Sequence, residues 1–269
     1  MSFADMHTHS EYSHDSVCRI EDMLNAQKRR GSAAFAVTDH CDVCFCEKQD
    51  VISPIINSYE NVQLLKNSDI KLLSGVEIGE GFWYPDTCKK VLSAVPYDVI
   101  IGSVHCVRSD ITTKAYSSVD FSLFTQDQIY DYLDSYFDDI ETMLAFLDFD
   151  VLAHLTCPLR YISGRHGRRV DMSRYDDRIH RILRTIIEKE IALEVNTSSY
   201  YALINDFSPS RSIIALYKEL GGRLITLASD AHKAENAANY FEEAVSELKT
   251  IGFSNAFYYE NRKPVGYLL

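Results

Sequence analysis

The sequence predicts an α/β fold in which parallel strands close, or nearly close, into a barrel. Short runs rich in Val, Ile, Leu and Ala alternate with amphipathic helical stretches, a pattern typical of parallel sheets. The runs lack polar alternation, as expected of strands that are covered on both faces. A doubly wound open sheet is the structural alternative, but the sequence lacks the Gly-rich phosphate turn that would favour a dinucleotide-binding sheet.

Seven segments are predicted as strands because each is short, apolar and followed by polar residues. In chain order they are Phe3–Met6, Ala33–Thr38, Ile70–Val76, Asp98–Val104, Phe149–Ala153, Ile191–Val195 and Arg223–Ala228. Seven strand–helix units favour the barrel over the open sheet.

The long helix predicted for Gln126–Leu147 is the best supported, because it carries one sustained apolar stripe. Thr125 and Gln128 have the spacing of a capping box at its start. The other predicted helices are Arg178–Lys189, a helix opened by Ser208-Pro209 with proline at its first position and closed by Gly221, and Asn236–Leu248.

Composition limits the classes of partner. No linker-like stretch divides the 269 residues, so we expect one domain over 1–269. A net charge of −12 argues against nucleic acid as the main partner, because nucleic-acid binders need a basic surface. The same net charge does not exclude a small phosphorylated substrate. The sequence shows no signal-like start and no run of membrane-spanning length, so no membrane partner is expected.

Seven scattered cysteines indicate reduced thiols and a cytoplasmic location. The cluster Cys41, Cys44 and Cys46 suggests a zinc knuckle, but no second Cys-x-x-Cys motif completes four ligands. We therefore interpret these cysteines as loop or core residues.

Metal-binding side chains collect where the predicted strands end. Six of the nine histidines follow within about two residues of a strand, together with three carboxylates and, in the first loop, His14. They are His7, His9, His40, His105, His154, His232, Asp39, Glu77 and Asp230. The carboxyl ends of barrel strands share one rim, and so many imidazoles and carboxylates buried there without metal would be very costly.

The spacing of these residues predicts chelation. His7 and His9, like Asp230 and His232, point the same way because side-chain direction in a strand repeats every two residues. Imidazole combined with carboxylate suits Zn, Mn or Fe. The donors are too many for one ion, so two or three metals are expected, and Glu77 is able to bridge two of them.

The motifs resemble those of the polymerase and histidinol phosphatase (PHP) superfamily, in the family's order from the first strand to the last helix. They are His7-Thr-His-Ser10, Thr38-Asp-His40, Gly75-Val-Glu77, Gly102-Ser-Val-His105, Ala153-His154 and Ser229-Asp-Ala-His232. Together with Glu194-Val-Asn-Thr-Ser198, they are most similar to the histidinol-phosphatase branch.

The resemblance implies a distorted (β/α)7 barrel, similar to a TIM barrel, with a trinuclear metal site. The implied first metal is held by His7, His9, Glu77 and Asp230, and the second by Glu77, His105 and His154. The implied third metal is held by His14, His40 and His232. The first-loop position varies within the family, so either His14 or Asp15 is the ligand.

The implied reaction is hydrolysis of L-histidinol phosphate to L-histidinol and phosphate. Metals lower the pKa of water, so that a bridging hydroxide is able to attack phosphorus near neutral pH. The leaving oxygen needs a proton, for which His232, Asp39 and a metal-bound water remain open as donors.

Arginine suits phosphate, because its planar fork binds two oxygens. We expect Arg160, six residues beyond His154, to bind the phosphate, with Arg165 and His166 behind it.

Other polar residues of the rim loops have weaker assignments. For Arg165, Arg168 and Arg169 we prefer the interpretation that the side chain is a solvated loop charge. Asn196 is expected to orient substrate or a ligand. Weak candidates to contact the cationic part of the substrate are Glu11, Asp42 and Glu80.

Four alternatives remain. They are a PHP phosphoesterase acting on nucleotides or sugar phosphates, a proofreading exonuclease, an amidohydrolase-type deaminase and a non-enzymatic metal-binding protein. The absence of a polymerase domain and the −12 charge count against the exonuclease. The number of candidate ligands counts against the deaminase and against the non-enzymatic protein.

Overall fold

A computed structural model describes residues 3–200 and 204–269, and its centre is a parallel sheet. The strands are β1 (Phe3–Thr8), β2 (Ser32–Val37), β3 (His40–Asp42), β4 (Lys71–Gly79), β5 (Val99–Ser103), β6 (Val151–Leu152), β7 (Ala192–Asn196) and β8 (Ile225–Ala228). Each of the seven segments predicted as strands overlaps one of these strands, with small shifts at the ends.

The sheet closes on itself. β1 pairs with both β2 and β8, and β2 also pairs with the first half of β4, from Ala34 opposite Lys71 to Val37 opposite Ser74. The short β3 continues this edge along the second half of β4, where His40 lies opposite Glu77. The predicted seven-stranded α/β barrel is therefore confirmed, and β3 arises where the chain breaks after β2.

A helix follows every barrel strand and covers the outside of the barrel. The helices are α1 (Ile20–Arg30), α2 (Ser53–Leu65), α3 (Pro85–Leu92), α4 (Gln126–Phe146), α5 (Asp176–Glu188), α6 (Arg211–Glu219) and α7 (Phe241–Ile251). The capping box of α4 is confirmed, since Thr125 Oγ1 accepts from Gln128 N and Gln128 Oε1 accepts from Thr125 N. Among the described helices, none is long and apolar enough to cross a membrane.

Two predicted helix starts were wrong. The backbone of Ser208 pairs with that of Asn196, so the helix does not begin at Pro209, and α6 begins at Arg211 after the N-cap Ser210. The segment Ala234–Asn236 forms only a single 3-10 turn, and α7 begins at Phe241. The predicted end of α6 holds, because Gly221 follows it in the left-handed region, with φ +94°.

The chain ends in an antiparallel hairpin that the sequence analysis did not predict, formed by β9 (Asn255–Glu260) and β10 (Lys263–Leu268). Tyr259 of this hairpin is buried among the small side chains of the barrel interior, such as Ala4 and Ala34. These residues lie at the amino ends of the strands, so the hairpin packs at the end of the barrel opposite the rim with the metal-binding side chains.

Candidate metal centre

The carboxyl ends of the strands bring the predicted ligands together at one rim. His7 lies in β1 and His9 directly after it, and their rings are 5.0 Å apart and buried. His154 and Asp230 lie two residues beyond the ends of β6 and β8, and both adopt positive φ, at 23° and 52°. Such backbone conformations cost free energy in residues other than glycine, and they occur preferentially at functional sites.

Glu77 lies at the centre of the cluster. Its Oε1 is 3.1 Å from His105 Nε2 and 2.9 Å from His154 Nε2. Its Oε2 is 3.3 Å from His7 Nε2 and 2.8 Å from His40 Nδ1. Each carboxylate oxygen therefore meets a different pair of imidazoles, which is the arrangement that a bridging ligand requires.

Asp230 completes the other side of the cluster. Its Oδ1 lies 3.2 Å from His9 Nε2 and 3.6 Å from His232 Nδ1. The rings of His9 and His232 stack at 4.0 Å, and those of His9 and His40 at 4.2 Å. The His9 ring thus lies between the rings of His40 and His232.

The first loop places Asp15 rather than His14 against this side. Asp15 Oδ1 is 3.7 Å from His40 Nε2, and its Oδ2 is 3.2 Å from His232 Nε2. The side chain of His14 is 53% exposed, and its Nδ1 lies 4.0 Å from Asp42 Oδ2. The geometry therefore favours Asp15 as the first-loop ligand.

These donors fit divalent metal. His7 Nε2, His9 Nε2, His40 Nδ1 and Glu77 Oε2 are buried, and among residues 3–200 and 204–269 their contacts, including the 2.8 Å approach of the last two, lack hydrogen-bond geometry. Unpaired buried polar atoms are costly, and a cation among them would remove that cost. Three-residue sets with ligand atoms within 4.8 Å of one another include His7–His9–Asp230, His7–Glu77–His154, His9–His40–His232 and His40–Asp42–His105.

Carboxylates behind the ligands hold the imidazoles in place. Glu194 Oε2 is 2.8 Å from His7 Nδ1, and its Oε1 accepts the backbone N–H of His154. Asp42 Oδ1 is 2.8 Å from His105 Nδ1. A Cβ at Gly79 would lie 2.3 Å from Asp42 Oδ1, so only glycine leaves room for this contact. Carboxylate–imidazole pairs of this kind orient metal-binding histidines.

Asp39, one of the candidate proton donors predicted from the sequence, lies behind the ligands and holds the first loop. Its carboxylate accepts hydrogen bonds from Ser10 N and Oγ, Ser13 Oγ and Ser58 Oγ. Ser13 Oγ lies 3.0 Å from His9 Nδ1, so Asp39 acts on the cluster through Ser13. Asp39 is fully buried and is not among the residues that line the cavity, and its role as a proton donor stays a prediction.

Opposite charges compensate each other within the cluster. Burial alone would lower the pKa of His7, but the carboxylates of Glu194 and Glu77 raise it well above its usual value. Burial alone would raise the pKa of Glu77, but the neighbouring imidazoles, led by His105, hold it well below its usual value. Burial and the His232 and His40 imidazoles lower the pKa of His9, which favours the neutral imidazole that binds metal.

A cavity of about 280 Å³ opens over the cluster. Its walls include ligand residues and further side chains that the sequence analysis did not single out, namely Tyr116, Ser117, Cys157, Tyr161, Lys233 and Asn236. The predicted phosphate contact Arg160 also lines it. Arg160 lies in a π-helical turn after β6, and its Nη1 donates to Ser198 Oγ at 3.1 Å.

Three other substrate contacts predicted from the sequence lie outside the cavity wall. Arg165 donates to Ser117 O and stacks over Tyr161, while His166 pairs with Asp120 at the surface. Asn196 is fully buried and donates to Glu194 Oε1 at 2.8 Å and to Asp230 Oδ2 at 3.4 Å. Asn196 is thus placed to orient a metal-binding side chain, one of the two roles expected for it, and substrate contacts by Arg165 and His166 stay predictions.

Arg168 and the weak carboxylate candidates also differ from expectation. The guanidinium of Arg168 is not solvated, because it donates to the carbonyls of Phe121, Ser122 and Phe124. Glu11 caps α1 by accepting from Ile20 N, and Glu80 accepts from the backbone of His105 and Cys106. These acidic groups therefore support the fold around the centre.

The sequence analysis missed Glu194 and Asp42 as supports of the ligands. For Glu194 a signal existed, because it alternates with Asn196 at the carboxyl end of an otherwise apolar strand. No sequence pattern indicated that Lys233 and Asn236 line the cavity, because their positions depend on how the loop after β8 folds over the rim.

Comparison with known proteins gives consistent matches. The PHP domain family model matches residues 5–198. The chain is 26% identical to a probable histidinol-phosphatase of Clostridium acetobutylicum, covering 94% of this chain and 96% of that protein. It is 25% identical to a histidinol-phosphatase of Lactococcus lactis, covering 94% and 93%. A crystal structure of the L. lactis histidinol phosphate phosphatase with zinc, L-histidinol and phosphate has the same fold, with a TM-score of 0.80, 23% identity and coverage of 98% and 100%.

Proposed function

This chain belongs to the PHP domain family, and from that premise we propose that it is a metal-dependent phosphomonoester hydrolase. We propose L-histidinol phosphate as its substrate, with L-histidinol and phosphate as products. The observation that carries the proposal is the placement of Glu77 among four imidazoles beneath a cavity that Arg160 also lines. Relatives named histidinol-phosphatase match this chain over nearly its whole length, which supports the choice of substrate.

We assign two or three divalent ions of Zn, Mn or Fe to the rim. The proposed first set is His7, His9, Glu77 and Asp230, the second is Glu77, His105 and His154, and the third is Asp15, His40 and His232. Bound at these positions, such ions lower the pKa of water towards neutrality and offset negative charge on a phosphoryl group.

Arg160 is the proposed phosphate contact. Its guanidinium is oriented by Ser198 Oγ, which lies 2.6 Å from Asn196 Oδ1 and 3.1 Å from Asp230 Oδ2. The same hydrogen-bond chain therefore links the phosphate contact to a metal ligand. Two donors presented in a plane suit the oxygens of a phosphomonoester and set its orientation over the rim.

His232 is the proposed proton donor when it does not bind a third ion. It lines the cavity, and its Nε2 lies 3.2 Å from Asp15 Oδ2, which holds a proton on the imidazole. The contact with Asp15 is the main effect that raises the pKa of His232, against the lowering effect of burial. One nitrogen cannot carry a proton and a metal at once, so this role belongs to the two-ion form.

We further propose that residues 1–269 act as one domain in the cytoplasm. The seven free thiols are consistent with a reducing compartment. The net charge of −12 argues against nucleic acid as the main partner, because nucleic-acid binders need a basic surface.

The test is a phosphate-release screen with metal-loaded protein. The panel contains L-histidinol phosphate, nucleoside monophosphates and sugar phosphates, and Glu77→Gln serves as the matched inactive control for contaminating phosphatases. We expect the highest kcat/KM with L-histidinol phosphate and none with Glu77→Gln. Higher kcat/KM with nucleotides or sugar phosphates would overturn the choice of substrate, and equal turnover by Glu77→Gln would overturn the assignment of the site.

A further inference from the structure

The proposed ligands of the two or three ions at the rim are together called the rim centre. A second group of metal-binding side chains lies beside the rim centre and shares no residue with it. Cys44 lies in the turn Val43–Phe45 after β3, Glu80 directly follows β4, and Cys106 follows His105 beyond the end of β5. The two sulfurs and a carboxylate oxygen all lie within 4.8 Å of one another. Three neighbouring strands of the sheet therefore each contribute one donor.

Glu80 gives an independent indication that this group holds a ligand. The residue is fully buried, and its Oε1 accepts the backbone N–H groups of His105 and Cys106. Its Oε2 is also buried, and within residues 3–200 and 204–269 it has no hydrogen-bond partner. A buried carboxylate oxygen without a hydrogen-bond donor is costly, and a cation beside it would compensate for that cost.

The identity of the donors selects the ion. Cys106 is fully buried and Cys44 half-buried, and both are free thiols. Two sulfurs with one carboxylate are softer than the imidazole and carboxylate donors of the rim, so they favour Zn²⁺ over Mn²⁺. Three protein donors leave one of the four positions that zinc prefers for a further ligand.

We propose that Cys44, Glu80 and Cys106 form a separate zinc site, with water or a small ligand at the fourth position. Binding displaces one proton from each thiol to solvent, and no electron is transferred. Because Glu80 also holds the backbone N–H of His105, the ion fixes the segment that presents a ligand of the rim centre. The proposal rests on no part of the proposed phosphatase activity.

The test uses Cd²⁺ as a probe on full-length protein, kept reduced and first loaded with Mn²⁺ at the rim. Cadmium bound to thiolate gives an ultraviolet charge-transfer band, and none of the proposed rim ligands contains sulfur. We expect the band to saturate at about one Cd²⁺ per chain and to disappear when Zn²⁺ competes. No band in the wild type would overturn the proposal.

Variants identify the donors. Cys44→Ser and Cys106→Ser should each abolish the band, and Glu80→Gln should weaken Cd²⁺ binding at least about tenfold. Cys46→Ser is the matched control, because it changes a half-buried cysteine of the same loop that belongs to none of the metal-binding groups in the described residues. Cys44 is not fully buried, so its variant stays informative if Cys106→Ser fails to fold. A band that persists in Cys44→Ser, or is lost in Cys46→Ser, would contradict this donor set.

Discussion

At the residue scale, the rim centre consists of buried charges that compensate one another. Glu77 is fully buried, and its carboxylate is held by imidazoles on both sides. His7 is held in turn between Glu77 and Glu194. Removing one member leaves an uncompensated buried group, which is far more costly than losing a surface ion pair.

Arg160 gives the first prediction at this scale. Arg160→Met should lower kcat/KM by roughly thirty-fold to several thousand-fold, since losing a charged contact to a buried phosphate costs about 2–5 kcal/mol. Metal content should not change, because Arg160 is not among the proposed ligands. Steady-state kinetics and elemental analysis of the same preparation measure both quantities.

The control for Arg160 must be a solvated arginine of the same segment. Arg168 is unsuitable because its guanidinium binds three carbonyls, whereas Arg169 is exposed. Arg169→Met should keep wild-type kcat/KM. If Arg160→Met behaves like Arg169→Met, the phosphate is bound without Arg160.

The first-loop ligand gives a second prediction. Asp15 contacts both His40 and His232, whereas His14 is exposed. Asp15→Asn should therefore bind about one equivalent of Mn²⁺ less than His14→Ala in the same loading protocol, since a metal ligand must be deprotonated and an amide is a poorer donor. The opposite order of metal contents would assign the position to His14.

The sequence could predict most ligands but not the residues that support them. His7 and His9 follow from strand parity, and Glu77 and Asp230 from their place at strand ends, which depend only on local order. Asp42 holds His105 across the gap that Gly79 leaves, and this contact depends on the register of β3 against β4. Register is a tertiary property, so that contact could not be predicted from local sequence patterns.

At the element scale, the two ends of the barrel have separate tasks. The carboxyl ends of the strands carry the metal centre, and the hairpin β9–β10 covers the amino ends, where Arg262 donates to Asp150. The hairpin was missed because its strands carry aromatic and charged residues without the apolar runs of the barrel strands. The barrel strands and α4 were predictable because their patterns are strong and local.

A prediction for the hairpin follows from the burial of Tyr259. Tyr259→Ala removes a side chain that is 2% exposed, so it should lower the free energy of unfolding by about 3–5 kcal/mol. The kcat/KM of the folded enzyme should stay near wild type, because the rim is at the other end. Denaturant titration and kinetics below the transition measure the two effects.

Lys263→Ala is the matched control on the same hairpin, since Lys263 is exposed and its loss should change stability little. An unfolding free energy for Tyr259→Ala equal to that of Lys263→Ala would mean that the hairpin contributes little to closing the barrel.

At the scale of the whole molecule, the net charge of −12 opposes the binding of a phosphorylated substrate. Two or three divalent ions at the rim would be the largest local charges and would reverse the sign of the field in the cavity. Arg160 and Lys233 add positive charge to the same cavity. A polynuclear centre is therefore the central claim, since both the chemistry and the attraction of the substrate depend on it.

The most direct test of that claim is the Mn²⁺ content of protein loaded with Mn²⁺ and never exposed to chelator. Manganese prefers imidazole and carboxylate to thiolate, so it counts the rim centre and not the cysteine site. Elemental analysis should give about two to three Mn²⁺ per chain, with a lower value for Glu77→Gln because that variant loses the bridging carboxylate. Less than about one Mn²⁺ per chain in the wild type would contradict a polynuclear centre, because the donors at the rim would then hold a single ion at most.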